Sequence, residues 1–252
     1  MKSLNQYINE KLKVSKNQYN YCPKTRKELY DLLDQLLKER GLEADLNDID
    51  VSNITDMSNL FYNFADFNGN ISEWNVSNVT KMYDMFWDCK KLDCDLSDWD
   101  VSNVTSMRNM FWGCEKFEGK GLENWDVSNV TDMFEMFKGC KKLDCDLSYW
   151  DVSNVTNMYE MFKDCENLDC DLSNWDISNV TDMSGMFDGC ISFEGKGLEN
   201  WDVSNVTSME CMFGGCKKLN CDLSNWDVSN VKYRHGIFLK CPIKDEYKPK
   251  FK

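Results

Sequence analysis

Apolar residues follow two rhythms that alternate along most of the chain. Leu96, Trp99 and Val101 fall at i, i+3 and i+5, which suits a short strand entered through a bend. Met107, Met110, Phe111 and Cys114 fall at i, i+3, i+4 and i+7, one face of a helix. Thr105 stands before that face where an N-cap belongs. Gly113, with its equivalents Gly139, Gly189 and Gly215, stands where a short helix would stop. The pair of rhythms then recurs. Trp74, Trp99, Trp125, Trp150, Trp175, Trp201 and Trp226 are separated by 25, 26, 25, 25, 26 and 25 residues. A period of this size predicts a solenoid whose units pack on their neighbours. The expected fold is therefore an α/β repeat solenoid. Each turn would supply a short strand, a bend and one or two turns of α- or 3-10 helix, the strands stacking in parallel about 4.8 Å apart.

The ends break the rhythm. Leu4, Tyr7, Ile8 and Leu12 share a helical spacing, which marks residues 1–22 as an amphipathic segment. In residues 23–44, Leu29, Leu32, Leu33, Leu36 and Leu37 form one stripe closed by Gly41, a capping helix for the open end of the array. Residues 45–231 hold eight copies, the first degenerate with Ile49 in the tryptophan position, and residues 232–252 form a C-terminal cap and basic tail. The two 26-residue copies share the run Phe117–Asn124, repeated at 193–200, so the array grew partly by copying a three-repeat block. The extra residue and paired glycines predict a local bulge there.

Charge narrows the partners. The net charge is −14, with +4 on residues 1–40 and +5 on residues 232–252, so residues 41–231 hold −23. That surface repels nucleic acid and anionic membranes and favours basic partners or cations. No stretch approaches the roughly 20 apolar residues that span a bilayer. Residues 1–14 lack an apolar core with a small-residue cleavage site, and the cysteine count of 13 is odd. Reduced thiols in a cytoplasmic or virion-associated protein are expected, with a cell-surface or secreted location as the alternative. His235 is the sole histidine and the in-repeat cysteines are spaced C-x4-C, so neither a metal nor another cofactor is expected. No nucleophile with a histidine base and no phosphate-cradling loop is present, and an enzyme is not expected.

Two ladders are candidate partner sites. Asp50, Asp100, Asp126, Asp151, Asp176, Asp202 and Asp227 follow the tryptophan position, with Asn75 in one copy. Stacked carboxylates about 5 Å apart repel by roughly 1–3 kcal/mol per pair. Either local hydrogen bonds from serine and asparagine offset this, or the ladder is a face for cations or a basic partner. The second candidate is aromatic: Trp87 and Trp112 in one phase, and Tyr83, Phe134 and Tyr159 in another. Aromatic clusters suit protein interfaces, and this one is favoured over the aspartates.

The motif Trp-Asp-Val-Ser-Asn-Val-Thr-x-Met-x-x-Met-Phe-x-x-Cys at Trp99–Cys114 and Trp125–Cys140 resembles the BspA-like leucine-rich-repeat family, in the variant common in mycoplasma surface proteins. The likeness spans residues 45–241. It implies a leucine-rich-repeat-like right-handed coil and a role in surface adhesion or protein binding. The opening Met-Lys-x-x-x-x-Tyr-Ile-x-Glu resembles targeting peptides of internal head proteins of large tailed phages, which implies virion association. The expected function is a non-enzymatic scaffold for protein–protein interaction, monomeric or weakly oligomeric, with no direct nucleic-acid binding. The alternatives are an exported adhesin of the BspA-like type and an acidic decoy, phage-encoded, that occupies the nucleic-acid groove of a basic enzyme. Buried free thiols lead to one direct expectation: a thiol titration under denaturing, non-reducing conditions returns all 13 cysteines, and a clearly smaller number contradicts it.

Overall fold

Each inward apolar residue is a corner at which the chain turns. Trp99 N–H donates to Leu96 O (3.2 Å), Val104 to Val101 (2.8 Å), Met110 to Met107 (3.1 Å), Cys114 to Phe111 (3.0 Å) and Phe117 to Cys114 (3.1 Å). These are successive i→i+3 turns, and the side chains at their corners are buried. Other amides point to the neighbouring repeat. The N–H groups of Met107, Asn109, Phe111 and Gly113 donate to the carbonyls of Asp132, Phe134, Met136 and Lys138 at 2.7–3.2 Å. The pattern recurs in successive repeats and stacks them into one column.

The structure is a computed structural model and describes residues 19–251. Most of the amphipathic segment expected at 1–22, and its phage-like motif, therefore lie outside the described residues. The α/β solenoid expectation is overturned. Among the described residues the sole α-helix is α1, Arg26–Arg40, which precedes the array. Pairing between repeats consists of isolated parallel bridges, from Asp56↔Lys81 through to Ser208↔Tyr233, with no sheet. Among the described residues the expected strands do not form, and the methionine–phenylalanine–cysteine stretches contain no helical turn. The reason is the backbone at two positions per repeat. Asn109 has φ 52° and Gly113 has φ 73°; Asp84, Glu135, Glu160 and Cys211 repeat the first, and Asp88, Asp164 and Lys240 repeat the second. A left-handed residue continues neither a right-handed helix nor an extended strand. The helical spacing of methionine, phenylalanine and cysteine instead reflects turns that close every third residue.

The 26-residue copies do not bulge. Gly121 has φ 94°, and a Cβ there would lie 2.3 Å from Ser97 N. This glycine leads into a 3-10 turn, Leu122–Asn124, and Gly197 leads in the same way into Leu198–Asn200. The extra residue is absorbed in that turn.

Side-chain columns fill the interior. Phe86, Phe111, Phe137 and Phe162 stack with centroids 5.5–5.7 Å apart and rings within 11° of parallel. Trp150 and Trp175 stack at 6.5 Å and 2°. Each indole N–H reaches back to a carbonyl of the preceding repeat, as in Trp150 to Leu122 O at 2.8 Å and Trp175 to Leu147 O at 2.9 Å. Asn103, Asn129, Asn154, Asn179 and Asn205 do the same from the rim, each Nδ2 donating to the carbonyl of the preceding repeat's serine at 2.7–2.8 Å. Burial and hydrogen bonding thus coincide in the same residues, so no repeat packs without its neighbour.

The ends are covered. In α1, Thr25 Oγ1 accepts from Glu28 N–H (3.2 Å), and Gly41 N–H closes onto Leu37 O (3.0 Å). Its stripe of Leu29, Leu33, Leu36 and Leu37 is buried, and Tyr30 lies 6.3 Å from Phe64. At the other end Leu223 N–H donates to Tyr247 O (2.8 Å), and Ile243 is buried.

Trp150, fully buried with its N–H engaged, sets the expected cost of breaking a column. Trp150→Ala lowers stability by about 3–5 kcal/mol through lost contacts and a cavity. Denaturant unfolding checks this, and a loss near zero would contradict the packing.

Candidate partner-binding face

Positions that change between aromatic and charged residues from copy to copy lie in columns outside the core. In the column one residue after the core phenylalanine, Tyr62, Trp87 and Trp112 stack in sequence. Tyr62 and Trp87 are 4.4 Å apart at 30°, and Trp87 and Trp112 are 5.1 Å apart at 55°. Tyr62 is 38% exposed and both tryptophans are half-buried. Tyr62 was not legible as a member because its copy is degenerate; the signal was its place after Phe61, matching Trp87 after Phe86. An open groove of about 430 Å³ runs along these rings, lined also by Asn59, Asp84, Asn109, Glu135 and Lys138.

Tyr83, Phe134 and Tyr159 belong to a separate column and do not line this groove. Arg108 occupies the rung between Tyr83 and Phe134, with its guanidinium carbon 3.8 Å from the Phe134 ring centre. Phe134 stacks on Tyr159 at 4.9 Å and 12°. This column is therefore partly satisfied from within by a cation over a ring face.

Toward the C-terminal end the groove column changes chemistry. Lys138 and Lys163 replace the aromatics and build a row of charges: Glu135–Lys138 at 2.9 Å, Lys138 against Glu160, Glu160–Lys163 at 3.1 Å and Lys163–Asp188 at 3.3 Å. Burial opposes the charge on Lys138, yet Glu160 and Glu135 outweigh it and hold its pKa above the ordinary lysine value. Glu160 stays below the ordinary glutamate value, burial being outweighed by Lys138 and Lys163.

The aspartate ladder is exposed and locally satisfied. In Asp100, Asp126, Asp151, Asp176 and Asp202, Oδ1 accepts the N–H of the serine two residues on at 3.0–3.1 Å. Ser178 holds Asp176, and Ser204 holds Asp202, below the usual carboxylate range, against the repulsion of neighbouring aspartates. A second acidic column carries firmer pairs: Lys120 bonds Asp95 at 2.6 Å and Lys196 bonds Asp171 at 2.5 Å. These lysines, with Ser97 and Ser173, push both acids down to about 2.

All 13 cysteines are free. The Sγ groups of Cys114, Cys140, Cys165, Cys190 and Cys216 donate to phenylalanine carbonyls of the preceding repeat at 3.0–3.1 Å. Burial pushes Cys114, Cys165 and Cys190 well above the ordinary thiol value, and Cys94, Cys145 and Cys221 up to about 12. They remain protonated and pack as small apolar groups. Among the described residues no three His, Cys, Asp or Glu side chains come together as metal ligands, and no helix is long and apolar enough to cross a membrane.

A family model described as "Mycoplasma protein of unknown function, DUF285" matches residues 31–121, 114–197 and 165–245. No curated protein matches the chain.

The acidic pairs fix the direction of the pH response. Asp95 and Asp171 titrate near 2 in the fold against about 3.9 unfolded. Their depressed values contribute stability that is complete above about pH 4 and is lost as pH falls toward 2. Melting temperature followed from pH 5 to pH 2 should therefore fall, and Lys120→Met/Lys196→Met should make that fall shallower.

Proposed function

The chain belongs to the DUF285 family of mycoplasma proteins, and we propose that it acts as a non-enzymatic repeat scaffold that binds another protein. The observation that carries this reading is the Tyr62–Trp87–Trp112 column: three aromatic side chains, partly exposed over a groove, on a stack whose other large apolar groups are mostly buried. Half-buried tryptophan and tyrosine in a concave setting are the side chains that most often dominate binding energy. Burial raises the core-column thiols such as Cys114, and the ladder aspartates sit in serine turns, which supports a non-enzymatic reading.

A second reading follows from the repeat motif. The likeness of Trp99–Cys114 to BspA-like repeats supports an adhesin displayed outside the cell, which fractionation of the native host separates from an internal protein. The exposed, charged aspartates support a third, a decoy for a basic enzyme, whose binding would weaken steeply with salt.

The test is capture of the partner from native-host extract by the full chain, followed by quantitative binding to variants. Trp87→Ala/Trp112→Ala should weaken binding by roughly 30-fold, the size of one strong hot spot, while Asp100→Asn/Asp126→Asn changes it little. The reverse ranking assigns the interaction to the acidic face.

A further inference from the structure

Resting on the partner-binding reading of this groove, we propose that the groove beside Asp84, Trp87 and Trp112 receives a lysine or arginine side chain from a basic segment of the partner. Three observations carry it. First, Trp87 and Trp112 both line the groove and are half-buried. Their rings touch, with centroids 5.1 Å apart, but are inclined at 55°, so they do not cover each other face to face as the core phenylalanines do.

Second, the groove holds one uncompensated carboxylate. It is lined by two acids, Asp84 and Glu135. Glu135 is neutralised by Lys138 at 2.9 Å. Asp84 Oδ1 accepts from Asn109 Nδ2 at 2.8 Å, and among the described residues no lysine or arginine pairs with it. An amide donor leaves the charge in place, and a charge beside indole rings is screened less than one in open water.

An ammonium or guanidinium group answers both features at once: positive charge for Asp84 and a cation for the rings. A neutral sugar would use the rings but leave Asp84 unanswered.

Third, the chain already uses a cation over a ring one column away, where Arg108 lies 3.8 Å over Phe134. The charge of −23 on residues 41–231 draws a basic segment toward the face.

The test titrates the full chain with a tetra-arginine peptide at constant ionic strength, read by tryptophan fluorescence and calorimetry. Tetraglutamate and maltotetraose serve as the anionic and neutral probes. Asp84→Asn is the informative substitution, because asparagine already stands at the equivalent left-handed positions 59 and 109. Tetra-arginine should bind the wild-type chain saturably. Asp84→Asn should weaken it about tenfold or more, as expected for a lost charge-assisted bond, with an unchanged melting curve. Asp100→Asn/Asp126→Asn should leave it within about twofold, since exposed charges contribute little singly. If Asp84→Asn does not fold, Trp112→Leu takes its place with the same expected loss. The inference is overturned if tetra-arginine fails to bind, if Asp84→Asn binds it as well as wild type does, if both sets of aspartate variants weaken it equally, or if maltotetraose binds more tightly. A captured partner that is lost with Trp87→Ala/Trp112→Ala but unaffected by Asp84→Asn overturns the cation pocket while leaving protein binding intact.

Discussion

The structure depends on amides that cross between repeats. In each turn the N–H groups of alternate residues, such as Met107, Asn109, Phe111 and Gly113, point at the next copy and have no partner in their own. Leaving one of them buried and unbonded costs about 1–3 kcal/mol. The next copy must therefore present carbonyls at matching positions, which explains why the tryptophan spacing holds at 25 or 26. The one place that accepts an extra residue lies outside this row, where Gly121 and Gly197 start a 3-10 turn. Asparagine, threonine and tryptophan add bonds in the opposite sense, back to the preceding copy. Each interface is thus closed from both sides, by amides reaching forward and side chains reaching back.

That arrangement decides where recognition can reside. Columns that bond or pack between copies cannot vary without breaking two repeats at once. The column after the core phenylalanine accepts its inter-repeat bonds through the main-chain carbonyl, which any residue supplies, and its side chains lie outside the core, so it changes along the stack from Tyr62, Trp87 and Trp112 to Lys138, Lys163 and Asp188. The molecule therefore presents an aromatic groove toward α1 and a chain of paired charges beyond it. The uniform aspartate ladder, by contrast, is held in turns by its own serines and looks alike at every rung.

Period, column membership and the buried role of tryptophan, methionine, phenylalanine and cysteine were legible in the sequence, because each repeats in register. The backbone was not. Met107, Met110, Phe111 and Cys114 have the spacing of a helix face, and a string of i→i+3 turns produces the same spacing. The discriminating residues were Asn59, Asp84 and Asn109 together with Gly113, Gly139 and Gly189, types that tolerate positive φ. Read as a pair of columns, they signal left-handed corners; read one repeat at a time, the glycine resembles a helix stop. At the groove, Trp87 and Trp112 were visible from their phase. Asp84 and Asn109 were not, since an acid and an amide in a left-handed corner look like turn residues until their neighbours are placed.

The cysteine column has a consequence for how motion in this molecule could be followed. Each buried Sγ sits beneath its own rung, bonded to a carbonyl of the rung before, and burial keeps it protonated. A thiol reagent reaches such a group only when that rung opens. Cys114, Cys140, Cys165 and Cys190 therefore form a graduated scale built into the chain, one mark per repeat. The order in which they become labelled would record whether the stack frays inward from an end or opens first at one of the glycine-bearing turns.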